Sequence, residues 1–128
     1  MKKISILSLI ILTLLAGCKK DPDEPSLKGL WILDNVVVKE YLGGTLSNTD
    51  IEPGDGTTLD FQDNGNLVIR ETGGFTDTIT YTIQADSKVI IDGELYEVRD
   101  LTASNVALFI KEDYGGGDYD EIFINLKR

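Results

Sequence analysis

At 128 residues the chain has room for one domain. Its formal charge is −10 at pH 7, with 22 acidic against 12 basic residues, which sets it against the phosphate backbone of nucleic acid and against an anionic membrane face. It holds one cysteine and no histidine. An intramolecular disulfide, most zinc sites, histidine general-base catalysis and the Ser-His-Asp arrangement are thereby excluded together. A carboxylate-pair hydrolase needs a deep cleft, for which so small a domain has little room. The chain is therefore expected to be non-catalytic, without metal or cofactor.

The chain opens as a targeting signal. Met1, Lys2 and Lys3 form a positive start, and Ile4 to Leu15 is a 12-residue apolar run broken only by Ser5, Ser8 and Thr13. As a helix that run covers only about 18 Å of a ~30 Å hydrocarbon core, too little to span it. The small residues Ala16 and Gly17 suit a cleavage site. Leu15-Ala16-Gly17-Cys18 resembles the bacterial lipobox. That resemblance implies acylation of the Cys18 thiol, cleavage just before it, and anchoring in the outer membrane by several acyl chains. Each buried methylene contributes about 0.8 kcal/mol, so several chains hold where one does not. Removing residues 1–17 takes away Lys2 and Lys3 and carries the charge from −10 to −12.

Residues 18–26 read as the acylated cysteine and a flexible tether, too polar to fold alone. Its eight residues after Cys18 reach at most roughly 28 Å, which keeps the following domain near the membrane. "CKKDPDEP" is similar to the lysine-plus-acid stretch behind the acylated cysteine of surface-exposed Bacteroidetes lipoproteins. A linker with no address is the equal alternative, so the periplasmic or surface side stays open.

Residues 27–128 read as one all-β domain. β-branched and aromatic residues gather in eight runs, residues 31–41, 57–62, 67–72, 75–84, 88–91, 94–101, 106–112 and 121–127, separated by Gly, Asn and Asp. In "LDFQDNGNLVI" a two-residue turn would set Leu67 and Ile69 opposite polar residues. A three-residue loop, Asp63-Asn64-Gly65, instead pairs Phe61 with Leu67 and Leu59 with Ile69 and makes one face wholly apolar, so that register is expected, with Gly65 left-handed. "TDTITYTIQ" alternates, with Ile79, Tyr81 and Ile83 inward, and "VIIDGELY" is a hairpin turning at Asp92-Gly93, its register left open because both faces carry apolar residues. Eight strands joined mostly by tight turns predict an antiparallel up-and-down meander closed into an eight-stranded barrel, with an open sandwich as the other solution.

Gly29-Leu30-Trp31 at the start of the first strand, the "FQDNG" hairpin, the "TYTI" strand and the closing "INLKR" follow in an order that resembles the lipocalin-like domain of small Bacteroidetes envelope lipoproteins. The resemblance implies a barrel whose base is marked by Gly29 and Trp31, with Trp31 packed against a basic residue of the last strand, Lys127 or Arg128, and a ligand-carrier role. An eight-stranded barrel is either filled by side chains or holds one small ligand; a chain this short favours filling, with Trp31 as a plug.

Two further stretches are candidate contact loops. The long connection from Leu42 to Gly56, including Ile51, sits where a lid would cover a barrel mouth; a surface excursion or short strand is its other reading. "EDYGGGDYDE" carries Tyr114 and Tyr119 around three glycines, suited to a partner or sugar, or simply a soluble loop. Asp60, Gln62, Asn64, Gly65 and Glu71 approach the spacing of an EF-hand calcium loop, but the flanks alternate as strands, so no calcium is expected there. The leading expectation is a lipid-anchored binding protein for a small apolar molecule, a glycan or an envelope protein. The alternatives are a structural or inhibitory lipoprotein with a packed barrel acting through acidic loops, and a carboxylate-dependent hydrolase.

Overall fold

A computed structural model describes residues 24–128. The signal sequence, the motif Leu15-Ala16-Gly17, Cys18 and most of the tether lie outside the described residues. Nine strands make up the described chain: β1 Gly29–Leu42, β2 Thr45–Pro53, β3 Thr58–Phe61, β4 Asn66–Arg70, β5 Thr76–Gln84, β6 Lys88–Ile91, β7 Glu94–Arg99, β8 Asn105–Gly115 and β9 Asp118–Lys127. From β3 onward each pairs antiparallel with the next, and β1 joins β3 on one edge and β9 on the other. Strands β1 and β3 to β9 thus close the expected eight-stranded antiparallel barrel, and closure removes the edges an open meander would expose.

The registers follow the apolar faces. Phe61 pairs with Leu67 and Leu59 with Ile69, with Gly65 at φ 85° in the three-residue loop. Ile91 pairs with Glu94 across Asp92-Gly93, whose φ values of 49° and 84° are those of the hairpin turn that matches strand twist. Trp31, Phe61, Leu67, Val89, Leu108 and Leu126 are each under 2% exposed and fill the interior. Phe61 and Tyr81 meet edge to face at 5.1 Å, and the Tyr81 hydroxyl donates to the Gln62 carbonyl at 2.5 Å. No side-chain polar atom buried among the described residues lacks a partner. Each fully buried large side chain contributes about 1.5–3 kcal/mol, and together they take the place of the disulfide this chain cannot form.

Of the readings of the connection from Leu42 to Gly56 the strand holds and the lid does not: residues 45–53 are strand β2, laid antiparallel on the upper half of β1 from Asn35 to Leu42. β1 is 14 residues long, and its upper edge would otherwise stand unpaired, which is why a stretch as polar as "TLSNTDIEP" takes up strand geometry. β2 and β3 together run opposite β1 as one strand interrupted by residues 54–57. At the interruption the Gly54 N–H donates to the Asp34 carbonyl at 2.7 Å, and a Cβ on Gly54 would stand 2.0 Å from the Leu33 oxygen, so only glycine fits. One expectation is corrected: Ile83 has the inward parity of Ile79 and Tyr81 yet is 45% exposed, because no described residue covers the base of the barrel beneath it.

Candidate interaction surface

β1, β2, β8 and β9 run on past the barrel's other strands. β7 pairs only with Ala107, Leu108 and Phe109 of β8, so β8 beyond Phe109 leaves the barrel wall. With β9, β1 and β2 it forms a four-stranded antiparallel sheet in the order β8-β9-β1-β2. Its two hairpin tips are tied together: the Gly44 N–H donates to the Gly117 carbonyl at 2.7 Å and the Gly43 N–H to Asp118 Oδ1 at 2.8 Å. The two stretches marked as contact loops in the sequence therefore meet, as strands, and the glycine-rich one turns in only residues 116–117.

Residues directly opposite one another share a face, so the registers sort the two sides of this sheet. On the outer side Phe109, Phe123 and Val37 line up with Ile51. The Arg99 guanidinium lies 3.5 Å from the Phe109 ring centroid, Phe109 and Phe123 are 5.0 Å apart, and Lys39 Nζ stands 5.2 Å from Phe123. Further out Tyr41 and Tyr119 stack at 4.4 Å, with Lys111 Nζ 3.9 Å from Tyr119. The Tyr41 hydroxyl donates to Glu121, and burial followed by that carboxylate raises its pKa. Every cation of the sheet region is thus held on an aromatic ring of the outer side.

The inner side is the reverse. Val36, Val38, Ile110 and Ile122 form a half-buried apolar floor. Glu52 and Asp50 stand opposite Val36 and Val38, while Glu112, Asp120 and Glu40 form one row beyond Ile110, Ile122 and Val38. No lysine or arginine shares this face. Tyr114 lies above the row, its hydroxyl 2.9 Å from Glu112 Oε2 and 3.0 Å from Asp120 Oδ2. Hydrogen bonding to these two carboxylates holds the proton and pushes its pKa up to about 12.

The other marked residues divide accordingly. Leu42 and Tyr114 are exposed at the tip end, at 60% and 62%. Ile51 belongs to the outer side, and Tyr119 is half-buried in its stack rather than free for a partner. At the opposite end, Gly29 and Trp31 meet the last residue. Trp31 is fully buried, its Nε1–H donates to the Leu27 carbonyl at 2.7 Å, and the Arg128 guanidinium lies 3.9 Å from its ring. Gly29 has φ 107° and a Cβ there would stand 3.1 Å from Arg128 Nη1. Arg128, not Lys127, is the partner of Trp31; Lys127 instead reaches Asp34 Oδ1 at 2.6 Å. Trp31 is a plug and not a pocket wall. Beside it the base opens into a cleft of about 380 Å³ lined by Leu27, Ile83, Ser87, Val98 and Leu101.

Arg99, Phe109, Phe123 and Lys39 were not singled out from the sequence. The alternation that sets Phe109 in "NVALFIKEDY" and Phe123 in "YDEIFINLK" is visible, but which ring receives Arg99 of β7 or Lys39 of β1 depends on the β7–β8–β9–β1 registers. Comparison with family models, with curated proteins and with solved structures finds no match to this chain.

Proposed function

We propose that the chain is a lipid-anchored protein of the bacterial outer membrane that works as an interaction module, its filled barrel serving as a rigid stand and its projecting sheet making the contact. One observation carries the contact reading: the barrel interior is occupied by side chains, while the two longest hairpins join tip to tip beyond it and leave an apolar floor rimmed by five carboxylates. The lipobox-like Leu15-Ala16-Gly17-Cys18 supports the anchor, and the tether fastens at the base, the end opposite the sheet. No catalytic step is part of this reading.

The anchor is tested by metabolic labelling with an alkynyl fatty acid: the label is expected on the native chain and absent from Cys18→Ser. The contact is tested by placing a photo-crosslinking residue at Leu42 or Tyr114 and, as control, at Leu95 on the barrel wall. Crosslinks to a common envelope component from the first two and none from Leu95 are expected. Equal yields from all three would remove the sheet from the reading.

A second reading has its own observation. The base cleft, apolar at Leu27, Ile83, Val98 and Leu101 and polar at Gln84, Lys88 and Asp100, would suit a small molecule with an apolar body and a polar end. Native mass spectrometry of the purified protein showing a retained ligand, displaced in Val98→Trp, would favour it.

A further inference from the structure

We propose that the outer edge of β2 is a strand-addition site that takes up an extended, cationic polypeptide segment of alternating basic and apolar residues. The proposal deepens the contact-sheet reading and rests on it. β2 is nine residues long, is exposed along its whole length and pairs on one side only, with β1. At about 3.3 Å per residue the regular stretch below the bulge at Ser47, residues 48–53, offers an edge on the order of 20 Å whose outward N–H and C=O groups have no strand partner among the described residues.

The chemistry of the incoming strand follows from the face it would extend. β2 carries Asp50 and Glu52 and no cation. A strand added beside it continues the inner face, where the next rows are Glu52–Val36–Ile124 and Asp50–Val38–Ile122. Basic side chains of the added strand then meet carboxylates across the new ladder, and opposite charges in such pairs contribute roughly 0.2–1 kcal/mol each while like charges cost. A second copy of β2 is the poorer occupant, since it brings two more acids and no cation to the ladder and at best sets Asp50 opposite Asn48 and Glu52 opposite Leu46. Natural edges are commonly blunted by lysines, bulges or proline. Here Pro53 at the lower end, the bulge at Ser47, where the register with β1 shifts between Glu40 and Tyr41, and the acids do so, and the acids repel self-association without repelling a basic strand. The free upper edge of β8 is the weaker candidate, because Lys111 lies on it. Main-chain hydrogen bonds would supply affinity and the alternating side chains the selectivity.

The test uses the full acylated chain in neutral detergent and a fluorescent nine-residue peptide alternating lysine and valine. Saturable binding by anisotropy is expected, weakened at least tenfold by the double variant Asp50→Lys, Glu52→Lys, whose folding is checked by unchanged Trp31 emission. It is also expected to be weakened at least tenfold when alternate peptide bonds of the probe are N-methylated, which removes backbone donors but no charge. Equal binding of the N-methylated probe, or of a glutamate–valine peptide, overturns strand addition, as does absence of binding. A concentration-dependent dimer abolished by the same double variant assigns the edge to a second copy and overturns it too. The crosslinks from Leu42 and Tyr114 decide the contact-sheet reading separately from all of these outcomes.

Discussion

Replacing Arg128 with alanine dismantles the base of the barrel at one point, and the structure allows the loss to be worked out. The guanidinium covers the ring of the fully buried Trp31 at 3.9 Å. It also donates from Nε to the Ala103 carbonyl at 2.9 Å, from Nη1 to the Lys28 carbonyl at 3.1 Å and from Nη2 to the Ser26 carbonyl at 2.8 Å. One side chain therefore ties β9 to the segment before β1 and to the β7–β8 connection. A cation over a tryptophan face contributes about 1–2 kcal/mol when partly desolvated. The three carbonyls lie at the surface and regain water when the donor is lost, so each bond is taken at the low end, about 0.5 kcal/mol. The expected cost of Arg128→Ala is about 3 kcal/mol, which for a domain of this size lowers Tm on the order of 15 °C.

Urea unfolding followed by Trp31 emission reads the cost directly, because this is the chain's one tryptophan. The native emission should also move to the red as water reaches the ring. Arg128→Lys should recover less than half of the loss, since an ammonium cannot reach three carbonyls in the geometry of a planar fork. Lys127→Ala removes only the exposed pair with Asp34 and should cost less than about 1 kcal/mol. A loss below about 1 kcal/mol in Arg128→Ala, with Trp31 emission unchanged, would refute the assignment of Arg128 as the clasp of the barrel base.

Leu108 is 1% exposed, so Leu108→Ala should cost about 2–5 kcal/mol, whereas Leu95→Ala, at a position half exposed, should stay within about 1 kcal/mol; chemical denaturation checks both. Arg99→Ala removes the cation from Phe109 and the exposed pair with Glu97 at 2.7 Å, for an expected loss of about 1–2 kcal/mol with faster amide exchange in β8 and β9. Asp118→Ala takes the acceptor from the Gly43 N–H and should speed amide exchange at residues 43–46 while leaving the barrel amides protected. Ultraviolet titration should find Tyr96 and Tyr114 ionising near 12, Tyr96 chiefly because burial disfavours its charged form and Tyr114 chiefly through Glu112 and Asp120; Glu112→Gln with Asp120→Asn should return Tyr114 toward 10.0. The native state keeps protons that the unfolded chain releases above 10, so this contribution to stability is complete below that pH and is lost as pH rises toward 12.

Much of the barrel was legible because its registers are decided locally. Leu59, Phe61, Leu67 and Ile69 allow one pairing that gathers them on a face, and that pairing is found. The turn at Asp92-Gly93 was legible too, but the register of its hairpin was not, because both faces of "VIIDGELY" carry apolar residues; the structure pairs Ile91 with Glu94. β2 could be named only as one reading of the connection from Leu42 to Gly56, for the opposite reason. Nothing in "TLSNTDIEP" prefers a strand, and it becomes one because β1 presents an edge that only the assembled fold creates. Ile83 misled through the same gap between local and tertiary information: its parity is inward, but burial depends on what covers the base. The two stretches singled out as contact loops meet as strands, which their sequences do not show, and Tyr119 is half-buried because its stacking on Tyr41 comes from a pairing 78 positions apart in sequence.

A closed barrel has no free edge, so a protein that uses one for contact has to build its edge outside the closure. β1 makes this arrangement. Below the bulge between Leu33 and Asn35 it belongs to the barrel wall, between β3 and β9; above it, it belongs to the projecting sheet, between β2 and β9. The bulge is held from three sides, by Lys127 on the Asp34 carboxylate, by the Gly54 N–H on the Asp34 carbonyl and by the Leu33 N–H on the Thr57 carbonyl at 2.8 Å. The sheet thus leaves the barrel at a fixed point and not through a loose hinge. Its outer side is sealed by Arg99, Lys39 and Lys111 lying on Phe109, Phe123 and Tyr119. The same placement keeps the described lysines and arginines of the sheet off the inner side, so the device that stiffens the sheet also leaves acids as the only charges around its apolar floor.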